Sequence, residues 1–419
     1  MQYKKYTIGP YNLHIIKTDK FKTINIDITF RRPIVKEEIT IRNFLSDLLL
    51  NSTAKYPSSR LLAIEAENLY GLKLSNQNMR IGNYAFTSFN LSILNSKYTE
   101  EGMLERSFNL LLDIIFNPNV EGNKFNSKAF KIVKNEIEAE IKSIKDNMTK
   151  YSLIRMLEEM DSSLPISYRG YGYLEDLEKI TEENSYEYYQ TMIKSDLVDI
   201  FVLGDIDISD IKKMMTKHIP INTIKRKKVP IVIEHKKIRK RIKKVVDHED
   251  IYQSKLSIGC KLEKLTDFER KYVVGMYGVI LGGPTSSKLF SVVREKHSLV
   301  YYINAQAKVT DNLLLIYAGI DKGKFDKTLR LVRLEMDKIK KGLITDEDLD
   351  KAKQMSVNAI KVAEDSPRSI IDAYIAKELL KSDDLEEKKR KLMLVTKEDI
   401  IKVSKKVKMD TVFLLEGVK

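Results

Sequence analysis

Among its 419 residues the chain has one cysteine and no tryptophan. The single thiol, Cys260, excludes an internal disulfide framework and a cysteine-based zinc site, and it suits a reducing compartment. It lies in the alternating run Lys255 to Leu262, where a buried structural thiol is expected rather than a nucleophile. No apolar run approaches the ~18 residues of a membrane span. The N-terminal stretch Met1 to Pro10 lacks the apolar core of a signal peptide. A soluble cytoplasmic protein with no membrane partner is therefore expected. The five histidines are His14, His218, His235, His248 and His297. No two stand at an i, i+3 or i+4 step, so no helix face offers paired imidazole ligands. His248 to Asp250 reads as a solvated polar loop. Gly-x-Ser-x-Gly, Walker A and dinucleotide fingerprints are all absent from the sequence.

What is present is ordinary globular composition, 43% hydrophobic and 32% charged. At roughly 150 residues per domain the length implies two to three domains. The net charge of +14 would suit an anionic partner. Lysine is spread along the whole chain, however, and no RGG tract, RNP-like strand or zinc knuckle accompanies it. The excess reads as solvated surface, and the pattern argues against nucleic acid.

Apolar periodicity lays out an α+β chain. Residues 7–31 are strand-like, with clean alternation from Ile24 to Phe30. A helix follows over Glu37 to Asn51, with Ile39, Ile41, Phe44, Leu45, Leu48 and Leu49 as its apolar face. A second helix runs from about Arg60 to Tyr70. Residues 72–95 read as two strands with a turn near Asn76 to Gly82. Helices are then expected over Thr99–Phe116, Phe125–Ile144, Lys150–Met160 and 176–194, and a strand over Leu197–Leu203. An internal repeat supports two copies of one domain. Leu177-x-x-Ile180-Thr181-x-Glu183 is echoed 215 residues later by Leu392-x-x-Val395-Thr396-x-Glu398. Each copy is followed by a helix and a closing strand. The predicted fold is two tandem homologous α+β domains, each an antiparallel or mixed sheet with helices on one face, at 1–216 and 245–419. A basic, proline-containing linker, 217–244, joins them; it holds Lys225 to Lys228 and Lys236 to Arg241.

The stretch Leu281 to Tyr302 organises the second half. Gly282, Gly283 and Pro284 stop a helix that begins near Phe268. Thr285, Ser286 and Ser287 offer N-cap oxygens for the next helix, Lys288 to Lys296. Arg294 falls near that helix's end, and Tyr301 opens the strand Val300 to Ala307. Two arrangements are open from the residues alone. Either the guanidinium fork and the phenol face a ligand, or Arg294 pairs with a local glutamate and Tyr301 packs in the sheet.

The string Gly282-Gly-Pro-Thr-Ser-Ser-Lys-Leu-Phe-x-x-Val-Arg294-Glu-Lys-x-Ser-Leu-x-Tyr301 resembles the second-domain signature of the M16 (insulinase or pitrilysin) metallopeptidases. Size and two-domain layout resemble the M16B branch. The resemblance implies a half-clamshell fold and, in the first domain, an inverted zinc motif His-x-x-Glu-His with a distal glutamate ligand. At the matching helix positions stand Asn43, Ser46 and Asp47, and the distal ligand falls at Glu140. Two hard carboxylates without an imidazole make a poor zinc site, and Ser46 cannot act as general base to a water. The resemblance therefore implies a non-catalytic subunit of a bacterial heterodimeric pair, with no cofactor of its own. Zinc is expected in a catalytic partner that keeps His-x-x-Glu-His. Arg294 and Tyr301, with Gly282 and Gly283 beside them, would hold the substrate peptide. Relatives of this kind are associated with peptide processing or with elongation factor P modification, and the residues do not choose between these. A proteolytically silent scaffold or peptide-binding protein of the same fold is the alternative. Two further readings are a nucleic-acid binder acting through 225–244 and an autonomous metal hydrolase.

Overall fold

The computed structural model describes residues 1–220, 228–235, 238–283 and 285–418. Of the basic linker clusters, Lys225–Lys227, Lys236 and Lys237 lie outside the described residues, as does Pro284. The chain divides into two compact units. One comprises Met1–Ser143 with Arg169–Val229; the other comprises Ile144–Tyr168 with Pro230–Lys419.

The first unit contains β1 (Gln2–Ile8), β2 (Tyr11–Lys17), β3 (Thr23–Pro33), β4 (Lys73–Ile81), β5 (Tyr84–Leu94), the two-residue pair β6 (Val120–Glu121) and β7 (Lys124–Phe125), and β8 (Leu197–Gly204). Among the described residues six of these form one sheet in the order β1-β2-β8-β3-β5-β4; β2 and β8 run parallel and the other neighbours antiparallel. The helices are α1 (Ile39–Asn51), α2 (Ser59–Asn68), α3 (Met103–Phe116), α4 (Ser127–Lys142), α6 (Leu174–Leu177), α7 (Glu182–Ser195) and α8 (Ile208–His218); α5 (Met148–Asp161) belongs to the second unit. The alternating residues Ile24, Ile26, Ile28 and Phe30 of β3 join Phe44, Leu45, Leu48 and Leu49 of α1 in one buried core. The turn expected over Asn76 to Gly82 is shorter than that. Strand pairing continues to Ile81, and only Gly82 and Asn83 turn the chain. Gly82 takes φ +55°, which a two-residue hairpin of primed type requires and glycine supplies without strain.

The second unit holds β9 (Lys243–Glu249), β10 (Ser254–Leu262), β11 (Val300–Lys308), β12 (Leu313–Ile320) and β13 (Val407–Gly417), in the order β11-β12-β10-β13-β9. Here too one pair is parallel, β13 with the edge strand β9. Its other helices are α9 (Val274–Gly282), α10 (Phe325–Lys340), α11 (Asp346–Ala363), α12 (Pro367–Leu380), α13 (Leu385–Met393) and α14 (Lys397–Lys406). His248 and Glu249 sit in β9 opposite Glu416 and Gly417, so the polar loop expected there is strand; pairing with β13 extends it. Cys260 is fully buried, and burial pushes its thiol up to about 12, which keeps it an inert apolar group.

The repeat is the same device used twice. Thr181 caps α7 and Thr396 caps α14, each in a reciprocal capping box, with Asn184 and Asp399, the third residue of each helix, as partners. Leu177, Ile180, Leu392 and Val395 are buried just before those caps. The strand after each helix, β8 or β13, then enters the interior of its sheet.

The units are not contiguous in sequence as expected from 1–216 and 245–419. Ile144–Tyr168 falls in the second unit because Met156, Leu157 and Met160 of α5 pack with Leu313, Leu315, Phe413 and Leu415. Those four point away from the face that carries Leu314, Ile316, Val412 and Leu414, so helices cover both faces of that sheet.

One buried ion pair fixes α1 in the first unit. Arg42 Nη2 donates to Asp196 Oδ2 at 2.8 Å and to the Phe30 carbonyl at 2.9 Å. Both partners are shielded from water, with side chains 3% and 0% exposed. Removing one member of such a pair leaves the other charged and unpaired. Asp196→Ala is expected to lower unfolding free energy by about 3–5 kcal/mol, measured by denaturant titration; a loss below ~1 kcal/mol would contradict this assignment.

Candidate functional site

Two regions carry the residues singled out in the sequence. The first is on α1. Asn43 and Asp47 are partly exposed and Ser46 is buried, one helical turn apart on the side toward the edge strand β4. Asn43 Nδ2 donates to the Gly170 carbonyl at 2.7 Å. Ser46 Oγ donates to the Asn43 carbonyl at 2.8 Å and accepts from Asn78 Nδ2 at 2.6 Å. Asn78 Oδ1 in turn accepts from Thr87 Oγ1 at 2.7 Å. Asp47 Oδ1 accepts from Asn76 Nδ2. Burial pushes the Asp47 carboxyl up; the Asn76 hydrogen bond opposes this, and the carboxylates of Glu140 and Glu136 add to it. Glu140, on α4, is one of the carboxylates whose charge reaches Asp47.

This donor set does not fit zinc. An amide engaged with a backbone carbonyl, a hydroxyl inside a hydrogen-bond chain and one amide-bound carboxylate replace two imidazoles and a general base. Among the described residues no group of three or more His, Cys, Asp and Glu could hold a metal ion. Asn76 and Asn78 complete the network, and neither stands out in the sequence. Their signal is the i, i+2 spacing that puts two amides on one face of a strand, which is hidden while that segment is read as a turn.

The second region is in the second unit. The apolar helix ends at Gly282, as expected. A Cβ on Gly282 would lie 2.9 Å from both the backbone nitrogen and the Cβ of Ala305 on β11. Gly278, one turn earlier, faces the Ala305 carbonyl at 3.3 Å in the same sense. The two glycines let α9 lie directly against the edge strand. On Gly283 a Cβ would come within 3.0 Å of Val279 Cα. Ser287 does not cap the next helix; its hydroxyl is buried and has no hydrogen-bond partner among the described residues. Lys288 instead anchors the helix start by pairing with Asp348 at 2.6 Å.

Phe290 to Lys296 winds as a wider, π-type helical turn packed on β11. Such turns recur at functional sites. Arg294 is exposed on it. Its guanidinium lies 4.6 Å from the Phe290 ring centroid and makes no ion pair among the described residues. Tyr301 occupies a β-bulge: Val300 pairs with Ile320 and Tyr302 with Gly319, leaving Tyr301 between them without a register partner. The bulge turns the ring outward, 58% exposed. The neighbouring Asp321 carboxylate holds its phenol above the usual tyrosine value. The arrangement with Arg294 paired to a local glutamate and Tyr301 packed in the sheet is therefore not the one adopted. Asp321 is a residue the sequence did not flag; its only signal is its place just past the last residue of β12.

The sequence places the chain among known proteins in the same terms. The family profile described as "Peptidase M16 inactive domain" matches residues 179–356. "Probable inactive metalloprotease YmfF" of Bacillus subtilis strain 168 is 29% identical over 413 residues, covering 98% of this chain and 96% of that protein. A crystal structure of a conserved protein from Enterococcus faecalis V583 superposes with a TM-score of 0.93 at 26% identity, over 99% of this chain and 98% of that one. The M16 inactive domain structure from Pseudomonas fluorescens superposes with a TM-score of 0.80 at 16% identity, covering 100% and 99% of the two chains. The chain has the fold of M16-like structures, and its residues 179–356 are similar to the M16 inactive domain. The chain is similar over nearly its full length to a protein named as an inactive metalloprotease.

Gly282 is accounted for by packing. Gly282→Ala is expected to destabilise the chain by about 1–3 kcal/mol through overpacking against Ala305, although the same change inside an open helix stabilises by up to ~1 kcal/mol. Thermal unfolding measures it, and an unchanged or raised midpoint would contradict the close approach.

Proposed function

We propose that the chain is the non-catalytic member of a two-subunit zinc peptidase of the M16B type, and that it holds the substrate peptide through Arg294 and Tyr301. A partner carrying His-x-x-Glu-His supplies zinc, its ligands and the general base. The contrast between the two regions supports this reading. Around Asn43, Ser46 and Asp47 the polar groups are engaged with one another. Arg294 and Tyr301 are exposed, and among the described residues the Arg294 guanidinium contacts the Phe290 ring and makes no ion pair.

The chemistry follows from the donors. Arg294 presents five N–H groups in a planar fork that suits peptide carbonyls. The phenol of Tyr301 is a single donor at neutral pH. On binding it donates to a substrate carbonyl, or to the oxyanion that forms when the partner's water attacks. Neither residue performs bond breaking. Their work is to fix the peptide at the partner's metal. Peptide processing in the cytoplasm is the setting this reading implies.

Mixing the purified chain with an M16 subunit that retains His-x-x-Glu-His, and assaying peptide cleavage, tests the proposal. Arg294→Ala and Tyr301→Phe are each expected to lower kcat/KM by roughly 10–100-fold, with co-elution of the two subunits unchanged. Undiminished cleavage with both variants would overturn the assignment. Stable co-elution with no cleavage by the native pair would favour the silent scaffold.

A further inference from the structure

Away from both regions, the second unit holds a cavity of about 520 Å³ bounded by the Pro230–Val232 segment, the Val309–Thr310 turn and the C-terminal end of α12. Ile231, Val232, Val309, Leu379 and Leu380 make its wall mainly apolar. Size and lining match small-molecule sites, which are largely apolar with a few placed polar groups.

Most charges around it are neutralised within the protein. Arg270 pairs with Glu234 at 3.1 Å, Lys271 with Asp267 at 2.8 Å, and Asp383 with Lys391 at 2.9 Å. Lys381 is solvent-exposed at the turn after α12. Lys388, on α13, is different. It lines the cavity, is partly buried, and has neither an ion pair nor a side-chain hydrogen bond among the described residues. Burial alone pushes its ammonium below the usual lysine pKa. A cation withdrawn from water without a counter-ion is unfavourable, and an anion that enters beside it removes that penalty. An apolar wall excludes a strongly hydrated polyanion, and Lys388, the one partly buried cation lining the cavity without a partner among the described residues, calls for a single negative charge.

We infer that this cavity binds a small apolar monocarboxylate, its hydrocarbon part against Val309, Leu379 and Leu380 and its carboxylate at Lys388. The site is separate from Arg294 and Tyr301 and stands whether or not the chain holds peptides for a partner. A fatty acid and the C-terminus of an apolar peptide present the same chemistry.

Calorimetric titration of the full chain with decanoate, below its micellar concentration, tests the inference. The expected result is saturable one-to-one binding, with 1-decanol weaker by about ten-fold or more. Lys388→Met is expected to weaken decanoate by a similar factor and leave decanol unchanged, while Lys388→Arg keeps the preference. Leu379→Trp, which fills the cavity, is expected to abolish both and decides the matter if Lys388→Met does not fold. N-acetyl-Leu-Leu binding tighter than decanoate assigns the carboxylate to a peptide C-terminus, and the reverse order assigns it to a fatty acid. Absence of saturable decanoate binding to the native chain, equal affinity for decanol, or unchanged affinity in both Lys388→Met and Leu379→Trp would overturn the inference.

Discussion

The buried pair between Arg42 and Asp196 governs the first unit, because it sets where α1 lies. A guanidinium this deep must be paired and hydrogen-bonded, and Asp196 and the Phe30 carbonyl meet that requirement at the edge of the sheet core. With Arg42 held there, Ser46 and Asp47 turn toward β4 and meet Asn78 and Asn76, and Asn43 donates to the Gly170 carbonyl. Amide, hydroxyl and carboxylate then satisfy one another. The result is a hydrogen-bond network between α1 and β4.

The corresponding constraint in the second unit is the close approach of α9 to β11. Gly278 and Gly282 bring the helix backbone onto the edge strand. That strand bulges at Tyr301, and the π-type turn bearing Arg294 packs on it. Both deviations from regular geometry fall in the segment that carries the exposed cation and phenol. Bulges and π turns re-aim side chains at a cost in regularity, and here they expose groups that a straight strand and an ordinary helix would have placed differently.

Much of the fold was legible because its signals are local and periodic. The Ile24–Phe30 alternation, the apolar face of α1 and the repeated Leu-x-x-Ile/Val-Thr motif each correspond to an element or a cap in the structure. What was not legible depends on distant partners. Sequence gives no hint that α5 packs against β12 and β13, since amphipathic spacing shows that a helix has an apolar face but not which sheet receives it. The extension of β4 past Asn76 was masked by its polar residues, whose hydrogen-bond partners lie about thirty residues earlier on α1. The same holds for Asp321, whose role is visible only once β11 and β12 pair. Gly282 reads as a helix stop in sequence; the structure adds that its lack of a side chain is needed for packing against Ala305.

The central claim is that the α1 region is a closed polar network without zinc chemistry. Metal analysis of the chain after equilibrium dialysis against micromolar zinc tests it most directly. The account predicts far less than one zinc per chain, with no change in Asp47→Ala. Near-stoichiometric zinc that is lost in Asp47→Ala would contradict it.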